Sequence, residues 1–286
     1  MFPVGTQRRA HPRFGRLGRL GRPRDRFDPA WWGEAPAEGE REGYWAATRR
    51  PLPSLLFVLP LLFVYESGLA WAAGATGPAP SHRAGADAWI RHAFAAAGLT
   101  DRWLLPLLLV CALLAWQVAD RRGWRFPPLV PAGMLAESFG LALLLIGLSR
   151  LVDVGFCRLD DRGLLATAGN DPGPASVVLL LGFLGAGIYE EALFRLAAIP
   201  LMYHSLRFVR VPGLAASTLA ISVSSLLFSL AHHAGGPGES FTLFAFVFRW
   251  LAGVFFAYVF VARGYGVAVG THSAYDLLVG WFDVHF

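Results

Sequence analysis

Three groups of residues in this chain have the types and spacing to do chemistry. Glu190 and Glu191 precede Arg195, Phe228 precedes His232, and His272 precedes Asp276, each group set in or at the edge of an apolar run. At 100° per residue, partners four apart share a helical face, so Glu191 can hold the Arg195 guanidinium while Glu190 points to an adjacent face and stays free. Ionisable groups in the middle of a bilayer cost about 2.5–3.5 kcal/mol each on the lenient insertion scales, so they are normally paired, turned inward and functional. Hydrolysis by an activated water in such a place needs a base, groups that stabilise an oxyanion, and shelter from lipid. The three motifs can supply that set. Glu190 fits the base, and His232 fits a partner that shares the water's proton.

The elements that must position these residues follow from hydropathy. With 55% hydrophobic and 16% charged residues and a mean hydropathy of +0.46, the 286 residues describe a polytopic membrane protein, not a soluble domain. Apolar segments recur at 51–74, 103–119, 129–152, 175–206, 213–234, 241–262 and 266–282. Each approaches the ~20 residues that a helix needs to cross the hydrocarbon. The fold class expected is all-α: a transmembrane bundle of about seven spans, with a short interfacial helix at 86–99 where Trp89, Ile90, Ala93, Phe94 and Ala97 fall at helical spacing. Residues 1–50 hold 11 Arg against 6 acidic residues and read as a basic, disordered cytoplasmic tail that touches anionic lipid. Residues 51–286 read as one membrane domain. No folded module or aromatic interleaving accompanies the basic tail, so nucleic acid is not an expected partner. Arg121, Arg122, Arg125, Arg207, Arg210 and Arg263 fall on the same side as the tail, which puts the N-terminus in the cytoplasm. All 25 basic residues are Arg, which with the abundance of Ala and Gly points to a GC-rich bacterial coding genome and so to an inner-membrane location.

Other polar residues receive plainer readings. Glu66 and Glu137 either line the same cavity or, the favoured reading, are carboxylates satisfied at helix–helix contacts; Phe228 reads as packing that holds His232, His204 as an interfacial residue near a cytoplasmic end, and His233 as a neighbour of His232. Cys111 and Cys157 are too few for a disulfide framework or a metal site.

An EExxxR, an FxxxH and an HxxxD, in that order on successive membrane segments, resemble the CAAX prenyl protease and bacteriocin-processing (CPBP, or Abi) family of intramembrane glutamic endopeptidases. The resemblance covers roughly Ser176 to Trp281. It implies that Glu190 is the catalytic glutamate, that His232 works with it on the water, and that Glu191 and Arg195 form a supporting ion pair. It also implicates His272 and Asp276 in oxyanion stabilisation. Asp276 has no donor when ionised, so its expected part is to orient His272. The resemblance implies no cofactor, although Glu190, His232 and His272 have the ligand types of a catalytic zinc site. The implied partner is a membrane-associated protein or peptide substrate. In eukaryotes the family trims prenylated proteins; in bacteria, bacteriocin leader peptides or the C-terminal sorting tails of surface proteins fit by analogy. Two alternatives come from other classes: a proton-coupled transporter using the same carboxylates and histidines as a relay, and a catalytically inert scaffold of the same fold.

One expectation conflicts with the rest. Counted from the segment ends, Glu190 and His272 fall toward the cytoplasmic side and His232 toward the opposite side. Tilt, a later segment start, or unwinding at Gly182, Gly185 and Gly187 is needed to bring them level.

Overall fold

The structure, a computed structural model, describes residues 43–76, 83, 85–120, 123–160, 177–233 and 241–285. The expected disordered tail, apart from its last residues, lies outside the described residues. The elements are α1 (Tyr44–Ala47), α2 (Pro51–Thr76), α3 (Gly85–Ala96), α4 (Leu104–Asp120), α5 (Val130–Asp160), α6 (Val177–Glu190), a π-helical stretch (Glu191–Ala198), α7 (Ile199–Phe208), α8 (Gly213–Ala231), α9 (Leu243–Arg263) and α10 (Tyr265–His285). No strand occurs among the described residues, and the all-α bundle stands.

A helix runs through each of the seven apolar segments. Five helical stretches are long and apolar enough to cross a membrane: Pro51–Ala73, Val130–Phe156, Val177–Phe208, Gly213–Ala231 and Leu243–Arg263. The short α4, at 17 residues, and the more polar α10 complete the set. The outer surface is apolar, with Phe63, Leu107, Leu143, Leu201, Leu214 and Tyr258 exposed, as hydrocarbon solvent demands. Polar groups are turned inward instead.

The innermost element is α10, which packs against α2, α5, α6 and α9. Its first half is built from Gly266, Ala268, Gly270, Thr271, Ser273 and Ala274, small residues that let neighbouring backbones approach closely. His272 is carried on that same buried stretch and is 4% exposed.

Residues 43–50, assigned by composition to the tail, are folded. Ala47 and Thr48 are fully buried, Arg49 Nε donates to the Ala262 carbonyl at 2.6 Å, and the Arg263 guanidinium lies 3.6 Å over the Trp45 ring. Arg263 also pairs with Glu137, which accepts from Tyr44 at 2.6 Å. Glu137 is thus satisfied at a helix contact, with an arginine as its main partner.

At Gly253, α9 comes close to the backbone of α8. A Cβ there would stand 3.0 Å from Ser225 Cα and 3.1 Å from its carbonyl oxygen. The Gly253→Val substitution is therefore expected to force these helices apart and to destabilise the fold by about 1–3 kcal/mol, the usual range for overpacking. Thermal melting in detergent checks this: a lowered midpoint is expected, and an unchanged one contradicts the close approach.

Candidate active site

The rod Val177–Phe208 is one continuous helical stretch whose middle is wound as a π-helix. Stretches of this kind are rare and concentrate at functional sites. A local cause lies just beyond it. Pro200 has no N–H to donate, and its ring crowds the carbonyl of Leu196, so a regular α-turn is disfavoured there. Ser224 on α8 supports the stretch by donating to the Phe194 carbonyl at 2.6 Å. Gly182, Gly185 and Gly187 remain helical, so the expected unwinding is at Glu191–Ala198 instead.

Glu191 and Arg195 open this stretch and are both fully buried. Arg195 Nη1 lies 3.0 Å from Glu191 Oε1, and Nη2 donates to the Gly253 carbonyl at 3.2 Å. The guanidinium also sits 4.3 Å over the Phe228 ring and 5.5 Å from that of Phe256. Aromatic faces supply the electron density that a desolvated cation requires. Phe228 therefore does more than pack. It receives the Arg195 charge and meets the His232 ring edge-on at 4.7 Å.

The same carboxylate oxygen of Glu191 also meets His272 Nδ1, at 2.8 Å. An ionised carboxylate only accepts, which puts the proton on Nδ1. His272 Nε2 then faces Asp276 Oδ2 at 3.5 Å, and the ring stacks on Phe256 with centroids 4.5 Å apart. His232 is set by a carbonyl: its Nδ1 lies 2.8 Å from the Phe228 oxygen, so Nδ1 carries the proton. In the neutral ring this leaves Nε2 as an acceptor, 3.6 Å from Glu190 Oε2. Glu190 is 3% exposed, and its Oε2 has no hydrogen-bond partner among the described residues.

Glu190, His232, His272 and Asp276 line one cavity of about 470 Å³. The remaining wall is largely apolar and aromatic, with Phe183, Phe244, Phe248 and Tyr275. The cavity thus has an ionisable end and a greasy body. Glu191, Arg195 and Gly253 stand behind the first group and do not line it.

The apparent conflict of depth resolves at the turn around Arg210, which takes a φ of 67°. Glu190 and His232 stand about 20 residues to either side of it, roughly 30 Å of helix along each arm. Helices folded back on one another from a shared turn bring equal arm lengths level. Counting each segment from its own end misses this, because Val177–Phe208 is 32 residues long and exceeds a single crossing.

Sequence reasoning passed over Arg249, which lines the cavity within electrostatic range of Asp276. Its signal was the one used for Glu190, an ionisable residue inside an apolar run. The Gly253 carbonyl and the Phe256 ring carried no such signal. Glu66 lies outside the cavity and accepts from Arg83, Arg91 and Tyr189.

A zinc site would need Glu190, His232 and His272 to aim at one point. His272 turns both nitrogens toward carboxylates and His232 turns one to a carbonyl. Among the described residues no group of three or more His, Cys, Asp or Glu is arranged to hold a metal ion.

Comparison with known proteins bears on this same stretch. Residues 172–278 match the family described as Rce1-like, type II CAAX prenyl endopeptidase. No curated protein and no solved structure matches the chain. The matched stretch contains every residue of the ionisable cluster from Glu190 to Asp276, carried on apolar helices of an integral membrane protein. Over residues 172–278, a little more than a third of its length, the chain is similar to the Rce1-like type II CAAX prenyl endopeptidases.

Proposed function

We propose that this chain is an intramembrane endopeptidase that hydrolyses a peptide bond of a membrane-associated protein or peptide, with Glu190 and His232 activating the water. The observation that carries the reading is the facing of two acceptors, Glu190 Oε2 and His232 Nε2, 3.6 Å apart on the wall of the cavity. A water held there donates to both, and its oxygen lone pair is left to attack a carbonyl lying along the cavity. The water's proton passes to this pair and then to the leaving amine, so no covalent enzyme intermediate is formed. His272 faces the cavity with Glu191 at Nδ1 and Asp276 at Nε2; protonated on both nitrogens between these two acceptors it is a cation, and that charge stabilises the oxyanion. The apolar wall takes the lipid-like or hydrophobic part of the substrate. The mechanism needs no metal.

The setting we infer is a bacterial inner membrane, with the N-terminus in the cytoplasm and the basic tail on anionic lipid. Leader peptides and C-terminal sorting tails are the substrate classes this setting offers.

Three outcomes are expected. In a deletion strain complemented with wild type or with Glu190→Ala, proteomics should find proteins that keep a terminal segment only in the latter. Identical terminal peptides in both strains would remove the protease reading, while proton or substrate flux in liposomes without a cleaved product would favour a transporter. Second, Glu190→Gln should lose about 10²–10⁴-fold in rate, the usual worth of a general base, with its melting midpoint kept. Glu191→Gln, which strands a buried arginine, should lose stability as well, by about 3–5 kcal/mol. Equal stability of the two variants would contradict the division of labour. Third, purified protein stripped by a chelator should cleave at its full rate, and a loss restored by zinc would establish a metal mechanism.

A further inference from the structure

Glu66 sits in the apolar α2 without lining the cavity, yet it is the centre of a charged cluster. Arg83 reaches Glu66 Oε2 with Nη2 and Asp87 Oδ2 with Nη1, both at 2.6 Å. Arg91, one turn along α3 from Asp87, places Nε 2.6 Å from Asp87 Oδ1 and Nη2 3.2 Å from Glu66 Oε1. Two tyrosines complete the set: Tyr65 donates to Asp87 at 2.6 Å and Tyr189 to Glu66 at 2.9 Å. Asp87 and Glu66 are only 1% and 7% exposed, so the pairs are shielded and their geometry is specified. A helix expected merely to lie on the membrane surface is bolted to α2 through Asp87 and Arg91, and Tyr189 of α6 joins the same cluster at Glu66.

The bolt holds Gly85. This residue opens α3 with a φ of 59°, a conformation that glycine adopts without strain. A Cβ at this position would collide with Oε1 of Glu190. Bare backbone is therefore the wall on one side of the Glu190 carboxylate, and His232 Nε2 stands 3.6 Å from the other oxygen. Tyr189, the residue before Glu190, ties the same turn of α6 to Glu66.

We propose that Glu66, Arg83, Asp87 and Arg91 are positioning residues, which press the Gly85 backbone against Glu190 and so aim its carboxylate at His232. The proposal rests on the reading of Glu190 as the base. It adds that the reaction depends on a charge cluster that is not part of the EExxxR, FxxxH and HxxxD motifs.

The test uses the full chain in nanodiscs and an internally quenched, prenylated CAAX-type peptide, with kcat, KM and thermal midpoint measured for each variant. Gly85→Ala is expected to lower kcat by about 100-fold, the effect of an ångström-scale misplacement, with KM little changed. Gly98→Ala is the control: Gly98 also has a positive φ, 79°, at the far end of α3, but open space surrounds its Cβ position. It should keep wild-type kcat. Arg83→Gln should lower kcat in a protein that still melts near the wild-type midpoint, and Arg83→Lys should restore part of it. If Gly85→Ala does not fold, the Arg83 pair decides. Wild-type kcat in a folded Gly85→Ala, an equal loss in Gly98→Ala, or no difference between wild type and Arg83→Gln would overturn the positioning role. Turnover of the peptide by Glu190→Gln at the wild-type rate would instead overturn the base, a separate outcome.

Discussion

A single buried oxygen, Oε1 of Glu191, organises the centre of this protein. It takes Arg195 from its own stretch at 3.0 Å and His272 from α10 at 2.8 Å. Arg195 in turn donates to the Gly253 carbonyl of α9 and lies over Phe228 of α8. Four helical elements are tied through one carboxylate in a medium where water cannot substitute for a missing partner. The ion pair therefore does more than neutralise charge. It fixes the rotation of α8 and α10 about their axes, and with that the side from which His232 and His272 enter the cavity.

The arrangement divides two adjacent glutamates by environment. Glu191 is turned into the bundle and spends its charge on structure; Glu190, one residue earlier, is turned to the cavity and stays available. The π-helical stretch begins between them. Pro200, just beyond it, disfavours a regular α-turn there, so a local backbone constraint and the geometry of the candidate site coincide. The acceptors around the two histidines orient their rings. A carbonyl and a carboxylate, both acceptors, each claim an Nδ1 proton and leave both Nε2 atoms directed at carboxylates of the cavity wall.

Much of this is legible in the sequence. Hydropathy located the long helices, five of them long and apolar enough to cross a membrane, because length and apolarity are set by the solvent the helix must cross. The spacing of four put Glu191 with Arg195 and His272 with Asp276, because that is a property of any helix. Depth was misjudged, since Glu190 and His232 are levelled by a shared turn at Arg210 and by a rod longer than one crossing. Arg249 carries the same signal as Glu190, an ionisable residue inside an apolar run. The clamp on α3 had no sequence signature at all: Glu66, Arg83, Asp87 and Arg91 look like an ordinary membrane carboxylate and loop charges until folding brings them together. The end of the basic tail was misread because composition cannot distinguish a loose arginine from one, like Arg49 or Arg50, that donates to backbone carbonyls.

The central claim is that a water held by Glu190 and His232 attacks the peptide bond directly. Single-turnover cleavage in ¹⁸O-labelled water, with hydroxylamine present as a competing nucleophile, addresses it most directly. Direct attack places one labelled oxygen in the new carboxylate and yields no hydroxamate. A hydroxamate product would reveal an acyl-enzyme and contradict the account, with Ser273, buried beside His272, as the first residue to suspect.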